Sequence, residues 1–285
     1  MPQFNIAFFE LRQYRYLVMI YEDDTKVAIV TGGNNGLGFI TVRELVRKNA
    51  HVFIASRSKE KVFKKDKNVQ YGINNAGIMA TAFETTQDGI QDQFGVNHLG
   101  HFLFTILLLP TIKASAPSRI VNISSVAHEK APPAGIEFDK LNDPKAHSAF
   151  QRYGQSKLAN ILFTIELDKR LSGTNVYCNS LHPGVIKTEL WNGFVSSWGS
   201  WIKPFLYIGT SFMLTPEEGA LTQLYCATSP EIEEKNLHAK YFVPYGKLGK
   251  PTAQAKNEEL AKQLWDFSEK LVKEKLGDDV FNNVG

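Results

Sequence analysis

Cysteine is scarce in this chain. The 285 residues contain only Cys178 and Cys226, with neither C-x-x-C nor Cys/His ligand spacing, so a disulfide scaffold is excluded and no metal site is expected. A large charge excess is absent too. Lys and Arg number 32 against 29 Asp and Glu, a net charge of +3, and that balance calls for neither nucleic acid nor a strongly acidic partner. No run of 18 uninterrupted apolar residues occurs, which excludes a clean transmembrane span. Twenty-one Gly and 12 Pro are too few for a collagen-like or low-complexity chain. With 43% hydrophobic and 21% charged residues, the composition is that of a packed α/β protein in a reducing compartment, the cytoplasm.

Phe4 to Tyr21 is rich in Phe, Ile, Leu, Val and Tyr but is interrupted by Glu10, Arg12 and Arg15, and it lacks the order of a secretory signal. Two readings stand for it. One is an amphipathic helix on a membrane surface, such as that of the endoplasmic reticulum, and the other is a helix or coil packed on the domain. Tyr21 to Thr25 then leads abruptly into the first strand pattern. Residues 1–25 are therefore set apart from a single domain over 26–285.

From Lys26 the pattern is regular. KVAIVT (26–31) is a short β-branched strand, TGGNNGLG (31–38) a glycine turn, and a helical stretch runs to Lys48 before the strand HVFIAS (51–56). Further strands are expected at 69–73, 119–123 and 175–181, with helices at 87–113 and 151–171 between them. Such alternation predicts a doubly wound parallel sheet covered on both faces.

Gly32, Gly36 and Gly38 stand between strand and helix, where glycine lets the backbone approach a pyrophosphate and the helix N-terminus offers free N–H groups. The second strand ends in Ser56 and Arg57 with no acid before Glu60. A basic residue there tolerates a ribose 2′-phosphate, so NADP(H) is favoured over NAD(H). Tyr153 and Lys157 form the one Y-x-x-x-K of the chain. On a helix that spacing places both on one face, where an ammonium lowers the pKa of a phenol.

The ordered set TGGNNGLG, NNAG (74–77), VNHLGHF (96–102), IVNISS (120–125), YGQSK (153–157) and HPG (182–184) resembles the short-chain dehydrogenases/reductases, and within them the retinol dehydrogenase-like branch. The resemblance implies a Rossmann-like fold and an NADP(H)-dependent oxidoreductase acting on a lipophilic carbonyl or alcohol. Tyr153 would be the general acid/base, Lys157 would lower its pKa and hold the nicotinamide ribose, and Ser125 would bind the substrate oxygen. Asn97 would hold a water linking Lys157 to solvent. Gly32, Asn34, Asn35, Gly36, Leu37 and Gly38 would surround the phosphates, Asn75, Ala76 and Gly77 would line the adenosine side, and Pro183, Gly184, Val185 and Thr188 would flank the nicotinamide. An aromatic lid is expected at about 189–214, and a homodimer through the two long helices. His98, His101, His128 and His182 are read as packing residues.

One departure stands out. Between Arg57 and Asn74 there is no room for helix, strand and second helix, so the third, edge strand and a flanking helix are expected to be missing. The second strand would then be an exposed edge, with the catalytic half intact and the adenosine half damaged. That gap supports the alternative, a truncated and catalytically impaired isoform or a non-catalytic binding protein.

Overall fold

Apolar residues come in two kinds of run. Short β-branched runs are covered strands, and longer periodic ones are the helices that cover them. The computed structural model describes residues 5–11, 14–20, 26–55, 68–186 and 213–281, the first two ranges as backbone only. The strands are β1 (Asn5–Leu11), β2 (Tyr14–Ile20), β3 (Val27–Thr31), β4 (His51–Ala55), β5 (Tyr71–Asn74), β6 (Ser118–Ile123), β7 (Val176–Leu181), β8 (Tyr241–Val243) and β9 (Lys247–Leu248). They form one sheet in the order β1-β2-β4-β3-β5-β6-β7-β8-β9, with β4 through β8 parallel. The order reverses between β3 and β5, and the crevice beyond their carboxyl ends is where such sheets bind ligands.

The long helices are α1 (Gly36–Arg47), α2 (Asp92–Ala114), α3 (Ala149–Arg170), α4 (Pro216–Thr228) and α5 (Glu258–Leu276). The period-two alternation of the strands divides the core. Ala28, Val30, Val52, Ile73 and Val121 meet Val42 and Leu45 of α1 and Cys226 and Ala227 of α4 on one face. Ile29, Ile120 and Cys178 meet Phe102 and Ile106 of α2, Phe163 of α3 and Trp265 of α5 on the other. Ser148 and Gln151 form a reciprocal capping box that fixes the start of α3. Within α2, Gly95–Leu99 is a π-turn, closed by the Gly100 N–H on the Gly95 carbonyl.

Two expectations are corrected at the sheet edge. The N-terminal segment is neither helix nor coil, because β1 and β2 pair as an antiparallel hairpin. Nor is the second strand of the nucleotide unit, β4, left bare, since β2 joins it antiparallel at Met19 opposite Val52. Among the described residues the position of a third parallel strand is thus taken by the hairpin. An unpaired edge next to a buried parallel sheet is costly, and a nearby extended segment is a ready partner. Residues 56–67 and 187–212 lie outside the described residues. They carry Ser56, Arg57, Thr188 and nearly all of the expected lid.

Removing residues 1–22 should uncover the outer edge of β4. The expected result is a lower Tm and concentration-dependent self-association by light scattering, while an unchanged Tm in a monodisperse protein would show that the hairpin contributes nothing to the sheet.

Candidate active site

The glycine turn is shaped by backbone that other residues could not adopt. Gly32 leaves β3 at φ +64, and a Cβ on Gly38 would collide with the Gly32 carbonyl oxygen. Asn35 caps α1, its Oδ1 accepting from the Gly36 N–H at 2.6 Å, and the first turn of α1 carries no acidic residue. Free N–H groups and the positive end of the helix dipole therefore face the crevice. A closely packed cradle of this kind fits a dinucleotide pyrophosphate. Asn34 and Asn35 are exposed at its rim and Leu37 is half-buried. Asn75 ties the opposite wall to the turn, its Nδ2 donating to the Thr31 carbonyl at 2.9 Å, and Ala76 and Gly77 continue that wall. On the far side Pro183 is buried, Gly184 sits at φ +100, and Val185 is exposed, with its carbonyl accepting from the Leu214 N–H at 2.8 Å.

The expected catalytic residues converge from three elements. Tyr153 and Lys157 stand one turn apart on α3, each only 4% exposed, with the Lys157 Nζ 5.7 Å from the centroid of the Tyr153 ring. That ammonium donates to the Ile123 carbonyl at 3.0 Å, at the end of β6. Ser125, two residues further on, neighbours the Tyr153 phenol and accepts from the Ala127 N–H at 3.1 Å. Asn97 lies on the π-turn. Its Oδ1 accepts from the Ile78 N–H at 2.8 Å, and its Nδ2 donates to the Ile78 carbonyl and to the Ser156 Oγ, both at 2.9 Å. Both hydrogens of the amide are thus spent on structure. Gly77 leaves the space between the two, since a Cβ there would lie 3.2 Å from Asn97 Oδ1 and 3.5 Å from Lys157 Nζ.

Burial dominates the electrostatics of the pair. It pushes the Tyr153 phenol up to about 12, only partly opposed by the neighbouring Ser125. Burial also brings the Lys157 ammonium down to about 8. Both charged forms are withdrawn from water, and desolvation disfavours each of them.

Sequence reasoning passed over the polar scaffold around these groups. Thr31 Oγ1 lies 2.8 Å from His101 Nε2, and Gln223 of α4 donates to Thr41 Oγ1 at 3.0 Å and to Asn75 Oδ1 at 3.3 Å. The partners are 70, 182 and 148 residues apart, so only the topology connects them.

The sequence model of the family described as short chain dehydrogenase matches residues 26–71 and 60–138, two segments that overlap across 60–71. Retinol dehydrogenase 11 of Mus musculus is 39% identical over 279 residues, covering 85% of this chain and 85% of that protein. That alignment is longer than 85% of a 285-residue chain, so this chain is gapped within it. Among solved structures, an uncharacterized protein from Mycobacterium paratuberculosis superposes with a TM-score of 0.64 at 28% identity, over 87% of this chain and 93% of that one. A 4-hydroxyisoleucine dehydrogenase complexed with NADH shares the fold, with a TM-score of 0.56 at 20% identity, over 78% of this chain and 98% of that one.

Three histidines are held neutral by burial, His98 at about 3 and His101 and His182 at about 4. An unfolded histidine titrates near 6.5, so the unfolded chain binds more protons once the pH falls below that value. Their contribution is complete above pH 6.5 and is lost towards pH 4. For three such groups the slope approaches about 4 kcal/mol per pH unit. Urea unfolding at pH 7, 6 and 5 measures it, and His101→Phe should lower the slope by about a third; flat stability over that range would contradict neutral burial.

Proposed function

This chain belongs to the short chain dehydrogenase family, and we propose that it transfers a hydride between NADP(H) and a lipophilic carbonyl or alcohol, with Tyr153 as the proton donor and acceptor. The observation that carries the proposal is the convergence of Ser125, Tyr153 and Lys157 at the carboxyl end of β6, in the sheet that also holds the glycine cradle. A bound nicotinamide cofactor would supply or take the hydride.

Everything else falls to the chain. The N–H groups around Gly32, Asn34, Asn35, Gly36, Leu37 and Gly38 hold the phosphates. Asn75, Ala76 and Gly77 line the adenosine side, Lys157 holds the ribose hydroxyls, and Pro183, Gly184, Val185 and Thr188 flank the nicotinamide. Ser56 and Arg57 receive the 2′-phosphate, and this carries the preference for NADP(H). In reduction, the Ser125 and Tyr153 hydroxyls hold the substrate oxygen, and Tyr153 gives it the phenolic proton as negative charge develops there. In oxidation the phenolate accepts that proton. With the phenol at about 12 in the free site, the form required for reduction predominates at neutral pH. The lipophilic substrate is supported by Trp191, Phe194, Trp198, Trp201, Phe205 and Tyr207 in the proposed lid and by the names of the relatives.

A second reading has its own observation. The overlap of the two matched segments near residues 60–71, and the hairpin in place of a third parallel strand, favour a chain whose catalytic cluster is complete and whose adenosine side is weakened. A homodimer would use the outer face of α2, where Leu107 is exposed, because α5 packs along α3 and leaves it almost wholly buried. Contact with the cytoplasmic face of the endoplasmic reticulum membrane through residues 4–21 would fall to the hairpin, whose outer strand β1 has only β2 as a partner.

Tyr153→Phe keeps the ring and removes the proton. It should lower kcat for NADPH-dependent reduction by about 10²–10⁴-fold with a smaller change in KM, and undiminished turnover would remove Tyr153 from the chemistry. For the cofactor, thermal unfolding with NADPH at a hundredfold excess over its Kd should raise the midpoint, the stabilisation being about 2.7 kcal/mol. NADH should shift it less, and Arg57→Glu should reverse the order. A cooperative transition unmoved by either cofactor would favour the second reading.

A further inference from the structure

We infer that His101 is a positioning residue that couples the floor of the cofactor crevice to Asn97 on the π-turn, an inference that rests on the function proposed above. Hydrogen-bond valence at Thr31 carries it. Thr31 ends β3 directly before the glycine turn. Its Oγ1 accepts from the Asn75 N–H and from the Ala76 N–H, each at 2.9 Å. A hydroxyl oxygen has two lone pairs and one hydrogen, so both acceptor positions are filled and the hydrogen remains to be donated. The acceptor in reach is His101 Nε2 at 2.8 Å. That nitrogen must then carry no proton.

A neutral imidazole with Nε2 bare carries its proton on Nδ1. His101 Nδ1 lies 3.0 Å from the main-chain carbonyl of Asn97, an acceptor only, which selects the same tautomer from the other side. Both ring nitrogens are therefore used, in a side chain 4% exposed. The hydrogen bonds run in one direction, from the N–H groups of Asn75 and Ala76 through the Thr31 hydroxyl and the His101 ring to the Asn97 carbonyl. One end is the wall assigned to the adenosine side, and the other is the π-turn that sets Asn97 beside Gly77 and Lys157.

The charge state of the ring matters for the same reason. A protonated His101 would present a third donor to an oxygen with two lone pairs. It would also face Lys157 of α3 and His98 of α2, the titratable groups acting on it, and both disfavour a second positive charge there. Packing alone does not require either nitrogen, so chemistry separates the inference from a merely structural role.

Nitrogen-15 NMR of histidine in the cofactor-free protein provides the readout that is independent of activity. His101 should show the Nδ1–H tautomer from pH 8 to pH 5, and Thr31→Val, which keeps shape and removes the hydroxyl, should disturb the Nε2 resonance. An Nε2–H tautomer in the wild type would overturn the inference. In kinetics, Thr31→Val and His101→Phe should each lower kcat by about tenfold, the scale of one buried hydrogen bond. Their double variant should be no worse than the worse single one, and Thr31→Ser should recover most of the loss. Additive losses, or lower Tm values with kcat untouched, would reduce His101 to packing. A wild-type chain that neither binds cofactor nor turns over a lipophilic carbonyl would remove the proposed function, and the tautomer and its response to Thr31→Val would still decide the coupling.

Discussion

The carbonyl of Ile123 is the point on which the catalytic half depends. At the last residue of β6 it accepts from Lys157 Nζ at 3.0 Å and from Asn160 Nδ2 at 2.9 Å, while the next residue, Ser124, donates through Oγ to the Lys157 carbonyl at 2.7 Å. Three hydrogen bonds over two strand-end residues fix both the height and the rotation of α3. Tyr153 is one turn back along the same helix and Ser125 two residues beyond the strand, so their proximity follows from that docking. A buried ammonium needs an acceptor, and a strand-end carbonyl is one that folding cannot easily move. The proposed catalytic cluster is therefore built onto the end of the sheet and the helix docked there.

The hairpin lies at the opposite end of the sheet. There β3 keeps β5 on its inner side and β4 on its outer side, and the hairpin covers the far edge of β4. In the structure β2 is set against that edge by one register pair, Met19 with Val52, compared with five pairs between β3 and β4. The hairpin is thus held mainly by its own pairing, seven register pairs between β1 and β2. Two halves of unequal security follow. The crevice floor is continuous with the sheet core, while the outer edge of β4 rests on a lighter attachment.

Much of this was legible in residue order. KVAIVT before three glycines could be little but a buried strand entering a phosphate-type turn, and Tyr153 with Lys157 at a spacing of four had to share a helix face. The missing interval was legible by counting. The hairpin was not, because an aromatic and aliphatic run such as Phe4 to Tyr21 suits helix or strand, and its partner edge exists only through a gap forty residues further along. His101 was hidden for a related reason. At four residues past Asn97 it reads as helix packing, and its second partner, Thr31, is brought to it only by the sheet. Spacing reveals a neighbouring charge such as Lys157 and says nothing of desolvation, which raises the Tyr153 phenol.

The long helix α2 shows how the same residues can suggest two environments. Asp92–Ala114 is long and apolar enough to cross a membrane, yet Phe102, Ile106, Leu109 and Ile112 are buried in the core under β5 and β6. A helix lying along a parallel sheet meets apolar surface for its whole length, and that alone accounts for its composition. Its polar residues follow the same logic. Asn97, His98, His101 and Thr105 are all buried and each has a partner, Ile78 and Ser156, Ser268, Thr31, and Asn74 respectively. Such a series would be costly in lipid, and here each residue has at least one protein partner, so the helix is at once a core element and the beam that carries Asn97 to the crevice.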